Sequence, residues 1–204
     1  MDIWHMRGGN RLDGACFVQG SKNASLPIIA ASIISPARTE LMNVPQLRDV
    51  DAALRILRHL GCTAEQRQNE VYIDSTYLSC SAIPNSLMEE MRSSVIFMGA
   101  LLARCGEARL SLPGGCQLGR RPIDLHLSAL RQMGAVVDED GPEIYCRAEK
   151  LHGAVIDLPF PSVGATENIM LTACAARGRT VINGAAREPE ITALQDYLCT
   201  MGAE

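Results

Sequence analysis

Three stretches of this 204-residue chain are variations on one another: NVPQLRDVDAALRILRHLGC (43–62), GRRPIDLHLSALRQMGA (119–135) and AREPEITALQDYLCTMGA (186–203). Each carries a proline near its start (Pro45, Pro122, Pro189), leucines at helical spacing, and Leu-Gly or Met-Gly at its end. Self-similarity at this length implies one supersecondary unit used three times and packed through equivalent faces. No other feature limits the possible folds so strongly.

The intervening segments supply the rest of the unit. SKNASLPIIAASIIS (21–35) reads as a small apolar helix with Pro27 in its first turn. TELMNV (39–44) follows as a strand. In the helix after it, Asp49 is the expected N-cap and Gly61 the C-cap. Residues 62–83 read as a strand pair. The order then repeats. NSLMEEMRSSVIFMGALLARCG (85–106) is expected to be one long helix with Ser86 and Glu89 as a capping box. ARLSL (108–112) is a strand, the second amphipathic helix ends at Gly134, and AVVDE and EIYCRA form a hairpin around Asp140-Gly141-Pro142. GATENIMLTACAARG, RTVING and EPEITALQDYLCTMG begin a third copy. The repeated unit is therefore helix, strand, helix, strand pair, at about 21–83, 84–150 and 151–204. The third copy stops before its closing strands, so the chain is expected to be cut within that unit. Residues 1–20 are expected to form two short strands around Gly8-Gly9 and Asp13-Gly14.

Composition excludes several classes of function. The net charge is −4 and no Lys/Arg-rich run offsets it, which argues against a nucleic-acid partner. Aromatics make up only 4%, too few for a base-stacking surface. No apolar run reaches 18 residues, so no membrane span is expected, and MDIWHMRGG lacks the apolar core of a secretory signal. Eight cysteines without a CxxC pair, mostly inside apolar segments, read as reduced core residues of a cytoplasmic protein. The four histidines do not fall at ligand spacing, so no metal and no cofactor is expected.

The chemistry-bearing stretch is SLPGGCQLGRRPIDLHL (111–127). Three glycines surround Cys116, and Arg120 and Arg121 follow at once. This reads as a glycine loop carrying an acid or nucleophile, with anion-binding donors at a helix start. Taken alone, Cys116 could equally be an incidental surface thiol, Lys22 a solvated lysine beside an N-capping Asn23, and Arg92 the partner of Glu89 within a helix. His126 reads as a satisfied structural histidine.

Taken together, SKNASLPIIAAS, NVPQLRDV, MRSSVIFMGALLAR, SLPGGCQLGRRPIDLHL, PSVGATENIM and NGAAREPEI resemble the UDP-N-acetylglucosamine enolpyruvyl transferases of the EPSP synthase superfamily, over essentially the whole chain. The resemblance implies an α/β (α+β) fold, an inside-out α/β barrel of βαβαββ units. It implies that residues 1–20 belong to a second domain, that 21–204 form the first domain with its third unit truncated, and that the second domain is a structural partner. The implied reaction transfers the enolpyruvyl group of phosphoenolpyruvate to the 3′-hydroxyl of UDP-N-acetylglucosamine, in peptidoglycan synthesis. Cys116 then matches the proton donor and the point of attack by the epoxide fosfomycin. Lys22, Asn23 and Arg121 match phosphoenolpyruvate contacts. Arg92, Arg121, Pro122, Ile123, Asp124, Leu125, Ser162, Val163 and Gly164 match contacts to the UDP-sugar. The base for the sugar hydroxyl is implied to lie in the second domain, leaving this chain inactive alone. The alternative is a non-catalytic UDP-N-acetylglucosamine-binding or regulatory module.

Overall fold

A computed structural model of the chain describes residues 3–111, 123–141 and 143–204. Helices and strands alternate through it. In order they are α1 (Lys22–Ala31), β1 (Arg38–Leu41), α2 (Arg48–His59), β2 (Thr63–Arg67), β3 (Glu70–Asp74), β4 (Ala82–Ile83), α3 (Asn85–Met88) and a 3-10 turn (Ser94–Ile96). There follow α4 (Phe97–Cys105), β5 (Glu107–Ser111), α5 (Asp124–Gln132), β6 (Val136–Asp140), β7 (Glu143–Arg147), β8 (Val155–Asp157), α6 (Val163–Ala173), β9 (Val181–Asn183) and α7 (Pro189–Thr200).

The strands form three sheets, ordered β1-β3-β2, β4-β5-β7-β6 and β8-β9. β4 runs parallel to β5 and β8 parallel to β9, while the other pairs are antiparallel. Without its parallel edge strand β4, the second sheet has the same order as the first. The third consists of a parallel pair equivalent to β4-β5. In the first two sheets the strand between the two helices lies beside the last strand of the hairpin.

The two helix types differ in what they bury. In α4 six successive residues from Phe97 to Leu102 are buried, so this helix is enclosed on all sides. α6 packs along α4, and α1 packs along α7. α2 is amphipathic, with Val50, Leu54, Ile56 and Leu57 turned to the core and Arg48, Asp51 and Arg55 outward. Gly61 takes up φ 99° just past the end of α2, where a side chain would be strained and a Cβ would strike Ser79.

Several sequence expectations change. Residues 3–20 form no strand, and Trp4, Leu12 and Phe17 stand exposed. These residues have no ladder partner among the described residues, and an isolated strand pair is marginal in water. Pro27 lies inside α1 rather than in its first turn, because the helix already begins at Lys22. Leu47, not Asp49, is the N-cap of α2, so Asp49 falls in its first turn. The expected long helix at 85–106 is broken between Met88 and Ser94, and the Ser86–Glu89 capping box does not form. The Ser94 hydroxyl donates instead to the Met88 carbonyl at 3.0 Å, a local bond that competes with the helical ladder.

Two outcomes test this packing. A Cβ at Gly99 would lie 2.6 Å from the Asn168 carbonyl oxygen and 2.8 Å from its Oδ1. Overpacking at such contact costs about 3 kcal/mol, and alanine regains about 1 kcal/mol of helix propensity. Gly99→Ala should therefore lower the urea-unfolding free energy by about 2 kcal/mol, and an unchanged midpoint would contradict the α4–α6 contact. Separately, hydrogen bonds from Thr76 and then from Arg38 hold the Asp74 carboxyl down at about 2. A depressed carboxyl stabilises the fold above its unfolded pKa of about 3.9 and loses that contribution as pH falls toward 2. Melting temperature should drop between pH 4 and pH 2 in the natural chain, and less steeply in Asp74→Asn.

Candidate functional site

Helix starts gather at one end of the molecule. Ser21 adopts extended backbone before α1, and its Oγ accepts from the Ala24 N–H at 3.3 Å, so Ser21 rather than Asn23 is the cap. Lys22 and Asn23 thereby become the first two residues of α1. The Lys22 Nζ donates to Asp49 Oδ2 at 2.7 Å, reaching the first turn of α2. The Asn23 Nδ2 donates to Glu190 Oε1 at 3.3 Å, reaching the first turn of α7 just after Pro189. The starts of α1, α2 and α7 are thus tied side by side. Unpaired N–H groups and the positive pole of each helix dipole face the same region, which suits an anion.

The remaining starts adjoin this group. Ser162 caps α6, accepting from the Ala165 N–H at 3.4 Å, and its carbonyl accepts from the Thr166 hydroxyl at 2.8 Å. Thr166 Oγ1 in turn accepts from the Ala186 N–H at 3.1 Å, joining α6 to the segment that leads into α7. At the start of α5, His126 lies against Gly164. A Cβ there would come within 3.0 Å of the imidazole Cε1, tighter than an ordinary contact, so a side chain at 164 would press on the ring. His126, Asn168 and Thr166 are all buried.

Asn168 fixes these helices together. Its Oδ1 accepts from the Gly99 N–H at 2.7 Å, which sets the orientation of the amide. The Nδ2 then donates to the Val95 carbonyl at 3.2 Å and to His126 Nδ1 at 2.8 Å. With Nδ1 as acceptor, the imidazole proton sits on Nε2. One side chain of α6 therefore holds the 3-10 turn, α4 and α5 in register.

Lys22, Asn23, Ile123, Asp124, Leu125, Ser162, Val163 and Gly164 all lie at or next to helix starts on this end. Ile123 is buried just before α5, and Asp124 is its exposed first residue. Arg92 is exposed, but it stands in the turn before the 3-10 segment rather than within a long helix, and Glu89 accepts from Asn85 instead. Cys116, Arg121 and Pro122, like Arg120, lie outside the described residues. Sequence reasoning gave Asp49 only a capping role and passed over Glu190 and Asn168. The available signal was the acid recurring in the first turn of the second helix of each copy: Asp49, Asp124 and Glu190.

The thiols also need correction. Of those among the described residues, only Cys62 and Cys146 are buried, whereas Cys16, Cys105, Cys174 and Cys199 are exposed. Burial pushes the Cys62 thiol up to about 11 and that of Cys146 to about 12, so neither ionises near neutral pH.

Residues 6–204 match the family described as EPSP synthase (3-phosphoshikimate 1-carboxyvinyltransferase). The chain is 46% identical over 203 residues to UDP-N-acetylglucosamine 1-carboxyvinyltransferase 2 of Caldanaerobacter subterraneus subsp. tengcongensis. It is 47% identical over 204 residues to the UDP-N-acetylglucosamine 1-carboxyvinyltransferase of Oleidesulfovibrio alaskensis. In both comparisons all of this chain aligns with 49% of the relative, so it spans about half the length of the curated relatives it matches. Among solved structures, the enolpyruvyl transferase NikO from Streptomyces tendae superposes with a TM-score of 0.84 at 23% identity, over 97% of this chain and 46% of that one. The EPSP synthase of Acinetobacter baumannii gives 0.69 at 23%, over 88% and 42%. These two establish a shared enolpyruvyl transferase fold of mixed α/β content and nothing further. With its sequence matched from residue 6 onward and its relatives so named, the chain belongs to the EPSP synthase family, alongside the UDP-N-acetylglucosamine 1-carboxyvinyltransferases.

Proposed function

We propose that this chain forms one half of an enolpyruvyl transferase that moves the enolpyruvyl group of phosphoenolpyruvate onto the 3′-hydroxyl of UDP-N-acetylglucosamine, a step of peptidoglycan synthesis. The observation that carries this reading is the meeting of helix starts, where Lys22 and Asn23 stand beside three positive helix poles. That is the environment a phosphate and a carboxylate require. In this reading the three sheet-and-helix units make up an inside-out α/β barrel whose helix starts face the substrates.

Each residue then has a task. Lys22, Asn23 and Arg121 bind phosphoenolpyruvate. Arg92, Arg121, Pro122, Ile123, Asp124, Leu125, Ser162, Val163 and Gly164 bind the UDP-sugar, with the α5 and α6 starts facing its diphosphate. The Cys116 thiol gives its proton to the methylene carbon of phosphoenolpyruvate, and the neighbouring carbon becomes electrophilic. The sugar 3′-oxygen bonds to that carbon as its own proton passes to a base, producing a tetrahedral ketal. Elimination then breaks the carbon–oxygen bond to phosphate, removes a proton from the new methyl group and restores the double bond. A thiol with an ordinary pKa of about 8.5 is largely protonated at neutral pH and can act as this donor. The base, and further cations for phosphoenolpyruvate, come from a second domain equivalent to the other half of the relatives' length, and closure between the halves completes the site. The setting is cytoplasmic, where both substrates are available. No helix among the described residues is long and apolar enough to cross a membrane.

Two measurements test the reading. With UDP-N-acetylglucosamine and phosphoenolpyruvate present, the chain alone should release no phosphate, and release should appear when the complementary domain is supplied. Fosfomycin should alkylate Cys116, located by peptide mass spectrometry, several-fold faster with UDP-N-acetylglucosamine than without it. Cys62 and Cys146 should stay unmodified throughout, because their thiols titrate near 11 and 12. A Cys116 rate indifferent to UDP-N-acetylglucosamine would defeat the proposal.

A further inference from the structure

Asp49 and Glu190 occupy matching places, each the second residue of the second helix in its unit. An acid in a helix's first turn usually needs no more explanation than the helix dipole, and it then faces solvent. Here both carboxylates face side chains of a different helix. Asp49 takes the Lys22 ammonium at 2.7 Å, and Glu190 takes the Asn23 amide at 3.3 Å. Neither acid caps its own helix, since the N-caps of α2 and α7 make no side-chain hydrogen bond.

We propose that Asp49 is a positioning residue for Lys22, with Glu190 serving Asn23 in the same way. Together they keep both donors where the α1, α2 and α7 starts meet, ready for an anionic group. The inference rests on the reading of this end as the phosphoenolpyruvate site. The Lys22 side chain is 40% exposed, so its ammonium, with three donors, keeps some of them available to a ligand while one is bound to Asp49.

Two effects of Asp49 oppose each other. Fixing a lysine beforehand spares rotamer freedom worth at most roughly 30-fold in binding. A carboxylate near an incoming anion, in a water-like medium, costs about 5-fold. At that ceiling ordering outweighs repulsion, and loss of Asp49 should weaken anion binding by up to about 5-fold.

The sequence makes the test clean, because Lys22 and Lys150 are its only lysines. In the whole chain carrying 15N-lysine, the two ammonium signals can be followed by NMR during titration with inorganic phosphate and, separately, phosphoenolpyruvate. The Lys22 signal should move and that of Lys150 should not. Asp49→Ala should raise the phosphate dissociation constant by up to about 5-fold and shift the free Lys22 signal. Asp49→Glu, which keeps the charge and displaces it by one methylene, should fall in between. An unchanged melting temperature and Lys150 signal exclude a general loss of folding. A wild-type phosphate constant in Asp49→Ala, or a Lys22 signal indifferent to phosphate in the natural chain, overturns the inference. Asp49-dependent binding in which phosphoenolpyruvate is no tighter than phosphate supports the inference while counting against the proposed substrate.

Discussion

The arrangement of helices depends on one buried amide. Asn168 is fully enclosed, and its oxygen and nitrogen reach the backbone of α4, the carbonyl of Val95 and the ring of His126. A buried primary amide without partners would be costly, but one held by three partners on three different elements admits few alternative packings. α4 can approach closely enough only because position 99 is glycine. The apolar surfaces of α4 and α6 would tolerate sliding past each other, since one leucine contact resembles the next. The amide allows a single register, and that register decides where the α5 and α6 starts lie relative to each other.

Much of this was legible in the sequence because its causes are local. Leucines at helical spacing and terminal glycines mark α2, α5 and α7, and Gly61 and Gly134 adopt the positive φ that ends a helix. The hairpin at 136–147 follows from Asp140-Gly141. What escaped depends on partners far along the chain. Asp49 has the composition of an N-cap, and only the presence of Lys22, 27 positions away, explains its actual role. The break between Met88 and Ser94 interrupts a periodicity that reads as continuous, because a serine hydroxyl competes for a backbone carbonyl. Residues 3–20 have strand composition, but strand structure requires a neighbouring strand.

The candidate site divides in the same way. Lys22, Asn23, Asp124 and Ser162 to Gly164 are singled out by the motifs that carry the family resemblance, whereas read alone they are ordinary helix-start and turn residues. That these starts belong to one place could not be read from motifs. It follows from contacts that bridge separate repeat units, such as Asn23 with Glu190 and His126 with Gly164. Repetition explains why the contacts converge: equivalent helices in equivalent units present equivalent ends to a common side. The chemistry is unequal among the copies, however, because only the second carries a cysteine between glycines before its helix.

Pro27 lies inside α1, four residues beyond Asn23. Having no N–H, it cannot donate to the Asn23 carbonyl, so the helical ladder lacks a rung directly above the turn that bears Lys22 and Asn23. The body of α1 is anchored by Leu26, Ile29 and Ala30 in the core. Its opening turn is held by the Ser21 cap, by the Ser25 N–H and hydroxyl on the Ser21 carbonyl, and by two side-chain ties to neighbouring helices. The placement of Lys22 and Asn23 therefore leans on their neighbours as well as on the ladder of α1 itself. With one rung missing, the ties to Asp49 and Glu190 carry more of the task of fixing that turn than they would in an unbroken helix.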